Sequence, residues 1–271
     1  MQEITSASNP RIKLARKLSR RRAREQAGLC LLEGTRLVSD AWSAGVSFDS
    51  VFVTQRFVEQ AEPLPILLAL EEAGVSLFTV SEALLSEISD TTTPQGIVAL
   101  GHLPDLPVPP NPWLVLVLDG VGDPGNAGTL LRSAVAAGVE LVVFGPGTVD
   151  PFSPKVLRAG MGTHFRIALR VASDWDEVAS VLGGERPLYV ADAQARLSYD
   201  AVNWNQPAAL VIGSEAHGPS QAALTAATPI AIPISSAVES LNAGVAGSVI
   251  LFEAARQRRT EWRTERRSQR R

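Results

Sequence analysis

Residues able to do chemistry gather in three loops in the second half of the chain. The first runs from Asp119 to Arg132 and holds Gly120, Gly122, Gly125 and Gly128. Such glycines let a backbone turn sharply and approach a ligand closely. Asn126 sits where a helix should begin and reads as its cap. Arg132 lies on the second turn among Leu130, Leu131, Ala134 and Val135. A cation cannot face an apolar core alone, so Arg132 should point into a polar cleft. The loop lacks the regular dinucleotide spacing, and no phosphate-loop Gly-Lys-Ser/Thr follows it. By itself it is equally a strand-turn-helix corner with an outward arginine.

The second loop is Gly213-Ser214-Glu215-Ala216-His217-Gly218-Pro219, after an apolar run. Glu215 could orient a ligand or cap the next helix. Ser214 lacks the Gly-x-Ser-x-Gly frame of a nucleophile elbow. The third runs from Ile232-Pro233-Ile234 through Glu239-Ser240-Leu241-Asn242 into a helix apolar nearly all round, which should be deeply buried. Ser240 and Asn242 stand at its start, where capping is the plain reading. Gly244, Ala246, Gly247 and Ser248 are small enough for another helix to pack very close. The three histidines, His102, His164 and His217, show no metal spacing. Cys30, the one cysteine, excludes an internal disulfide framework and a cysteine cluster.

The elements that must position these loops alternate. Apolar strands at Trp113–Leu118, Glu140–Phe144, Pro187–Val190, Ala208–Gly213 and Pro229–Pro233 are separated by helices, the pattern of a parallel sheet covered on both faces. In such sheets ligands bind beyond the carboxyl ends of the strands, where all three loops fall. Residues 103–112 hold five prolines and form a stiff linker. Before it, residues 1–102 read as a small α/β domain entered by a basic helix over 8–24, opened by Asn9-Pro10. The second domain is read over 113–257, with a basic tail over 258–271.

The chain is 45% hydrophobic and 20% charged, an ordinary globular composition. No run reaches the roughly 20 apolar residues of a membrane helix, and no signal peptide is read, so the cytoplasm is the expected compartment. The net charge of −3 conceals an asymmetry. Residues 1–24 carry eight Lys or Arg against one acid, and residues 256–271 eight Arg against two. Nine basic and 25 acidic residues lie between. Two basic ends on an acidic body suit a nucleic acid backbone, though charge does not separate RNA from DNA.

The three loops, in this order, resemble the SpoU (TrmH-like) branch of the SPOUT RNA methyltransferases over roughly residues 113–255. The match rests on Asn126-x-Gly128 with Arg132, Gly213-Ser214-Glu215, and Ile232-Pro233 with Glu239-Ser240-Leu241-Asn242. A smaller one runs from Lys155 to Gly162, with Phe165 and Arg166 beyond. The start Asn9-Pro10-Arg11, with Leu32-Glu33-Gly34, resembles a ribosomal-protein-like substrate-binding domain. The resemblance implies a deep trefoil knot, a homodimer formed through the methyltransferase domain, and S-adenosylmethionine as cofactor. It places Gly213, Ser214, Ile232, Ile234, Leu241 and Asn242 around that cofactor. It makes Arg132 the central catalytic residue, with Asn126, Glu215, Ser240 and Asn242 completing the site. Ala216 stands where the family commonly has glycine, and its methyl should narrow the conformations of that loop.

The implied reaction is methyl transfer to a ribose 2'-hydroxyl, which needs no metal, cysteine or histidine base. Arginine stays protonated, so Arg132 is expected to stabilise negative charge or position a phosphate. Arg132, Lys155, Arg158 and Arg166 would make a phosphate track, with Arg11, Lys13, Arg20, Arg21, Arg22 and Arg24 as a second contact. RNA is the partner because it alone offers a 2'-hydroxyl. Ribosomal RNA is favoured over transfer RNA, and a non-catalytic RNA-binding assembly factor is the alternative from another class.

Overall fold

The computed structural model describes residues 1–60 and 64–268 and forms two units. One comprises Met1–Pro104 and Phe152–Phe165, the other Asp105–Pro151 and Arg166–Arg271. Residues 269–271 of the basic tail lie outside the described residues.

The first unit runs β1 (Gln2–Ile4), α1 (Pro10–Lys17), α2 (Arg21–Ala27), β2 (Leu29–Glu33), α3 (Thr35–Ser43), β3 (Phe48–Thr54), α4 (Gln55–Val58), α5 (Leu64–Glu72), β4 (Ser76–Val80), α6 (Glu82–Ser86) and β5 (Ile97–His102). Its mixed sheet has the order β1-β4-β3-β5-β2. The basic segment forms two helices where one was expected. Asn9 caps α1 through a bond from the Arg11 N–H at 2.9 Å, as its sequence suggests. Leu18, fully buried, then turns into the core, and the Ser19 hydroxyl folds back on the Arg16 carbonyl. Arg24 closes the break: its guanidinium donates to the Leu18 carbonyl at 2.6 Å.

The second unit runs β6 (Leu114–Asp119), α7 (Pro124–Ala137) and β7 (Leu141–Phe144). The chain then enters the first unit through α8 (Pro154–Gly160) and a short 3-10 turn. It returns with β8 (Ala168–Val171), α9 (Trp175–Leu182), β9 (Leu188–Ala191), β10 (Leu197–Ser198), β11 (Ala208–Gly213), α10 (Gln221–Ala226), β12 (Thr228–Ala231) and α11 (Ala243–Ser268). All seven strands are parallel, in the order β10-β12-β9-β11-β6-β7-β8. Strands β6, β7 and β11 are buried at every residue, which is why they read as continuous apolar runs without alternation. The linker residues Leu106 and Val108 pack on this unit's core beside Val178 and Leu182 of α9.

The excursion through Phe152–Phe165 has no signature at the linker. Leu157 and Phe165 sit in the same apolar cluster as Cys30, Leu32 and Val38. Arg158 donates to Asp90 at 2.6 Å and lies 3.6 Å from Glu33. Glu33 is 7% exposed and also accepts from the Asp90 N–H and the Thr91 hydroxyl. A buried carboxylate needs such a set of partners.

The small residues of α11 face α7. A Cβ on Gly247 would stand 2.3 Å from Leu130 Cδ2, and one on Gly244 3.3 Å from Thr129 Cβ. Ser248 meets Ser133 at 2.7 Å. The close helix partner inferred from sequence is therefore α7 of the same chain. The helix is also less buried than its composition implies: Val245 and Phe252 are 48% and 45% exposed. Among the described residues no helix is long and apolar enough to cross a membrane.

Candidate active site

The site is assembled beyond the carboxyl ends of β6, β9, β11 and β12. Strand β6 ends in Asp119, which is 3% exposed. Its carboxylate accepts from Trp175 Nε1 at 3.1 Å and from the Ser220 N–H at 2.7 Å. Asp119 thereby ties the first loop to α9 and to the start of α10. Thr148 braces the same turn, donating to the Leu118 carbonyl and accepting from the Gly120 N–H.

Helix α7 begins with Pro124, and its cap is Asp123, whose carboxylate accepts from the Asn126 N–H at 2.8 Å. Asn126 is therefore not the cap that its position suggested. Its side chain is released for a tertiary role. The Asn126 amide donates to Glu215 Oε1 at 2.7 Å, and its oxygen accepts from Asn242 Nδ2 at 2.9 Å. The other Glu215 oxygen accepts from the Gly122 N–H at 3.3 Å. Asn242 also caps α11, accepting from the Val245 N–H at 3.2 Å. Three loops separated by up to 116 positions are thus joined by side-chain hydrogen bonds.

The second loop closes on itself. Ser214 and Gly218 exchange both backbone hydrogen bonds, and the Ser214 hydroxyl accepts from the Ala216 N–H at 3.2 Å. Gly218 takes the left-handed conformation at φ 69°, whereas Ala216 does not. The Ala216 methyl therefore sits on a backbone conformation open to any residue. Gly213 is the position that tolerates no side chain: a Cβ would stand 2.3 Å from the Pro219 nitrogen.

The second and third loops, with the loop that follows β9, enclose a cleft of about 650 Å³. Ile212, Ile230, Ile232 and Ile250 supply an apolar wall, and Gly213, Ser214, Glu215, Ile234, Ser240, Leu241 and Asn242 line the rest. All the residues assigned to the cofactor from sequence therefore meet at one cleft. Asp192 and Gln194, from the loop after β9, also line it and carry no motif. Asp119 was likewise missed as a brace; an acid closing a fully apolar strand was its only signal. Among the described residues no three His, Cys, Asp or Glu side chains form a metal site.

Arg132 behaves differently. It is exposed on α7, has no ion pair or hydrogen bond to the described residues, and does not line the cleft. The basic residues also divide. Lys13, Arg20, Arg22, Lys155 and Arg166 are exposed. Arg11 lies 3.6 Å from Asp49 and stacks over Phe78, and Arg21 pairs with Glu25. Two candidates for phosphate contact are corrected. Arg24 is 3% exposed with its guanidinium turned to the Leu18 carbonyl, and Arg158 is committed to Asp90 and Glu33. Each is held by internal partners that a phosphate would have to displace.

A parallel sheet with a glycine-built, three-loop cleft at its strand ends defines the class: an α/β domain made to hold a small organic ligand. Residues 113–252 match the SpoU rRNA Methylase family, and residues 9–99 match the MRM3-like substrate binding domain. The chain belongs to the SpoU rRNA methylase family. It is 33% identical over 256 residues to the 23S rRNA (guanosine(2553)-2'-O)-methyltransferase RlmP of Bacillus subtilis, covering 93% of this chain and 98% of that one. It is 35% identical over 297 residues to the human mitochondrial rRNA methyltransferase 3, covering 87% and 69%. An AdoMet-bound rRNA methyltransferase from Sinorhizobium meliloti superposes with a TM-score of 0.81 at 28% identity, covering 94% and 97%.

Proposed function

We propose that the chain is an S-adenosylmethionine-dependent methyltransferase that modifies a ribose 2'-hydroxyl of ribosomal RNA. The observation that carries this reading is the Asn126–Glu215–Asn242 hydrogen-bonded cluster at the cleft, which unites the three family motifs. The cleft suits the cofactor: its isoleucine wall fits a nucleoside base, and its carboxylates and open loop backbone fit polar and cationic ends. When bound, the cofactor supplies a methyl group on a sulfonium centre.

The protein's part is alignment and charge. Asn126, locked on both sides, presents a fixed amide beside the cleft, and Ser240 offers a free-turning hydroxyl at its rim. Arg132 stabilises negative charge developing on the 2'-oxygen, or holds the phosphate that receives the proton. Because Arg132 does not line its own chain's cleft, a second copy seated on the α7–α11 face would bring it to one. Exposed Val245 and Phe252, with Arg132 on the adjoining helix, support that face as the homodimer interface. The second and third loops are read as the parts of a trefoil knot around the cofactor, and the cytoplasm as the compartment. The segments 1–102 and 113–257 are read as substrate-binding and methyltransferase domains.

Incubation with methyl-labelled S-adenosylmethionine and unmodified ribosomal or transfer RNA tests the reading. Label on a ribose 2'-oxygen of ribosomal RNA is expected. Label confined to transfer RNA would move the substrate class. No label in any pool, with RNA still bound, would favour a non-catalytic assembly factor.

A further inference from the structure

Two groups in the cleft have no individual role assigned above: Asp192 and Gln194, on the loop that leaves β9. The Asp192 N–H donates to the Ile230 carbonyl at 2.9 Å, and its Oδ1 accepts from the Gln194 N–H at 3.0 Å. These two bonds pin the carboxylate at the wall. Glu215 is the only other acid in the lining, and the lining contains no lysine or arginine. The cleft is therefore a cation-favouring one, and Asp192 is its carboxylate that is not engaged with Asn126.

The reaction changes the charge of the small molecule held there. The S–CH3 bond breaks, its electron pair stays on sulfur, and a C–O bond forms at the ribose. The positive charge leaves as the proton of the 2'-hydroxyl. Sulfonium, ammonium and carboxylate give the cofactor one net positive charge; the thioether product has none. A fixed negative wall holds the first and is indifferent to the second.

Resting on the reading of the cleft as the S-adenosylmethionine site, we infer that Asp192 is a specificity-determining residue that biases the cleft toward the charged cofactor over its spent thioether. Product inhibition is thereby reduced without any contact to RNA. The loop geometry fits the role, since the Gln194 bond fixes the carboxylate before any ligand enters.

Calorimetric titration of the full chain with S-adenosylmethionine and S-adenosylhomocysteine tests this. Asp192→Asn is expected to weaken S-adenosylmethionine by about three- to fivefold, the scale of a part-exposed charge pair, and to leave S-adenosylhomocysteine within about twofold. Gln194→Glu, which adds a carboxylate to the same loop, is expected to widen the preference. Added salt should narrow it in the unaltered chain more than in Asp192→Asn. Equal weakening of both ligands by Asp192→Asn would make Asp192 a loop brace and overturn the proposal, as would no change in either. Failure of the unaltered chain to bind either ligand would overturn the reading of the cleft itself, and this inference with it.

Discussion

Asn126 shows how a residue's neighbours decide its work. Its position at the head of a helix predicts a cap, but Asp123 takes that task and frees the amide to bridge Glu215 and Asn242. Capping preference is a local property, and two eligible residues three positions apart cannot be ranked from sequence alone. The family motifs nonetheless marked which side chains converge, and Glu215, Ser240 and Asn242 do line one cleft. Asp192 and Asp119 were invisible because their roles come from residues 38 and 101 positions away, Ile230 and Ser220. For Arg132, an outward cation with no partner among the described residues, Arg132→Ala should keep cofactor affinity and lower turnover by about a hundredfold or more. Calorimetry beside a methylation assay checks this. Unchanged turnover would remove Arg132 from the mechanism.

At the scale of elements, five of the seven strands of the parallel sheet were legible, and the short β8 and β10 were not. Runs such as Ala208–Gly213 are apolar throughout because helices cover both faces of the sheet. The last helix was harder. Its small residues announced a close neighbour but not which one, since only the tertiary path brings α7 beneath Gly247. Gly247→Ala should cost about 1–3 kcal/mol, because the new methyl overlaps Leu130, which is fully buried and has little room to yield. Urea denaturation measures it.

The same helix carries a pH-dependent contact. The Arg256 side chain holds the Glu253 carboxyl below its ordinary value through hydrogen bonds at 2.7 and 2.8 Å, against the opposing effect of burial, with a further bond from Gln257. A depressed carboxyl pKa contributes stability above the unfolded value, and that contribution is lost as pH falls through the folded one. Melting temperature should therefore fall more steeply in the unaltered chain than in Glu253→Gln below about pH 4.5. Parallel curves would show the contact to be neutral.

At the scale of the whole molecule, charge asymmetry and apolar exposure carry the predictions. Arg20 at the break between α1 and α2 and Arg22 in the first turn of α2 stay exposed, and Arg21 is exposed beside Glu25. Neutralising all three should reduce the salt dependence of RNA binding by up to about three counterions' worth of slope. An unchanged slope would make the arm a solvated surface. If the α7–α11 face pairs two copies, placing glutamate at Val245 and Phe252 should shift the chain toward monomer in sedimentation, with loss of turnover. If Arg132 serves a second copy's cleft, mixing Arg132→Ala with Asn242→Ala should recover part of the activity that each has lost. No recovery would confine Arg132 to its own chain.

The excursion of residues 152–165 has a consequence for inheritance. The proline-rich segment looks like a natural seam, the place where recombination could graft a new specificity module onto an old catalyst. Yet a gene cut there would deliver residues 1–104 without Leu157 and Phe165 of their apolar cluster, and with Glu33 stripped of Arg158. Three crossings of the chain, not one, stitch the halves together. Such halves are expected to have been inherited as a pair and to have diverged by point substitution, so their ancestries should trace the same tree.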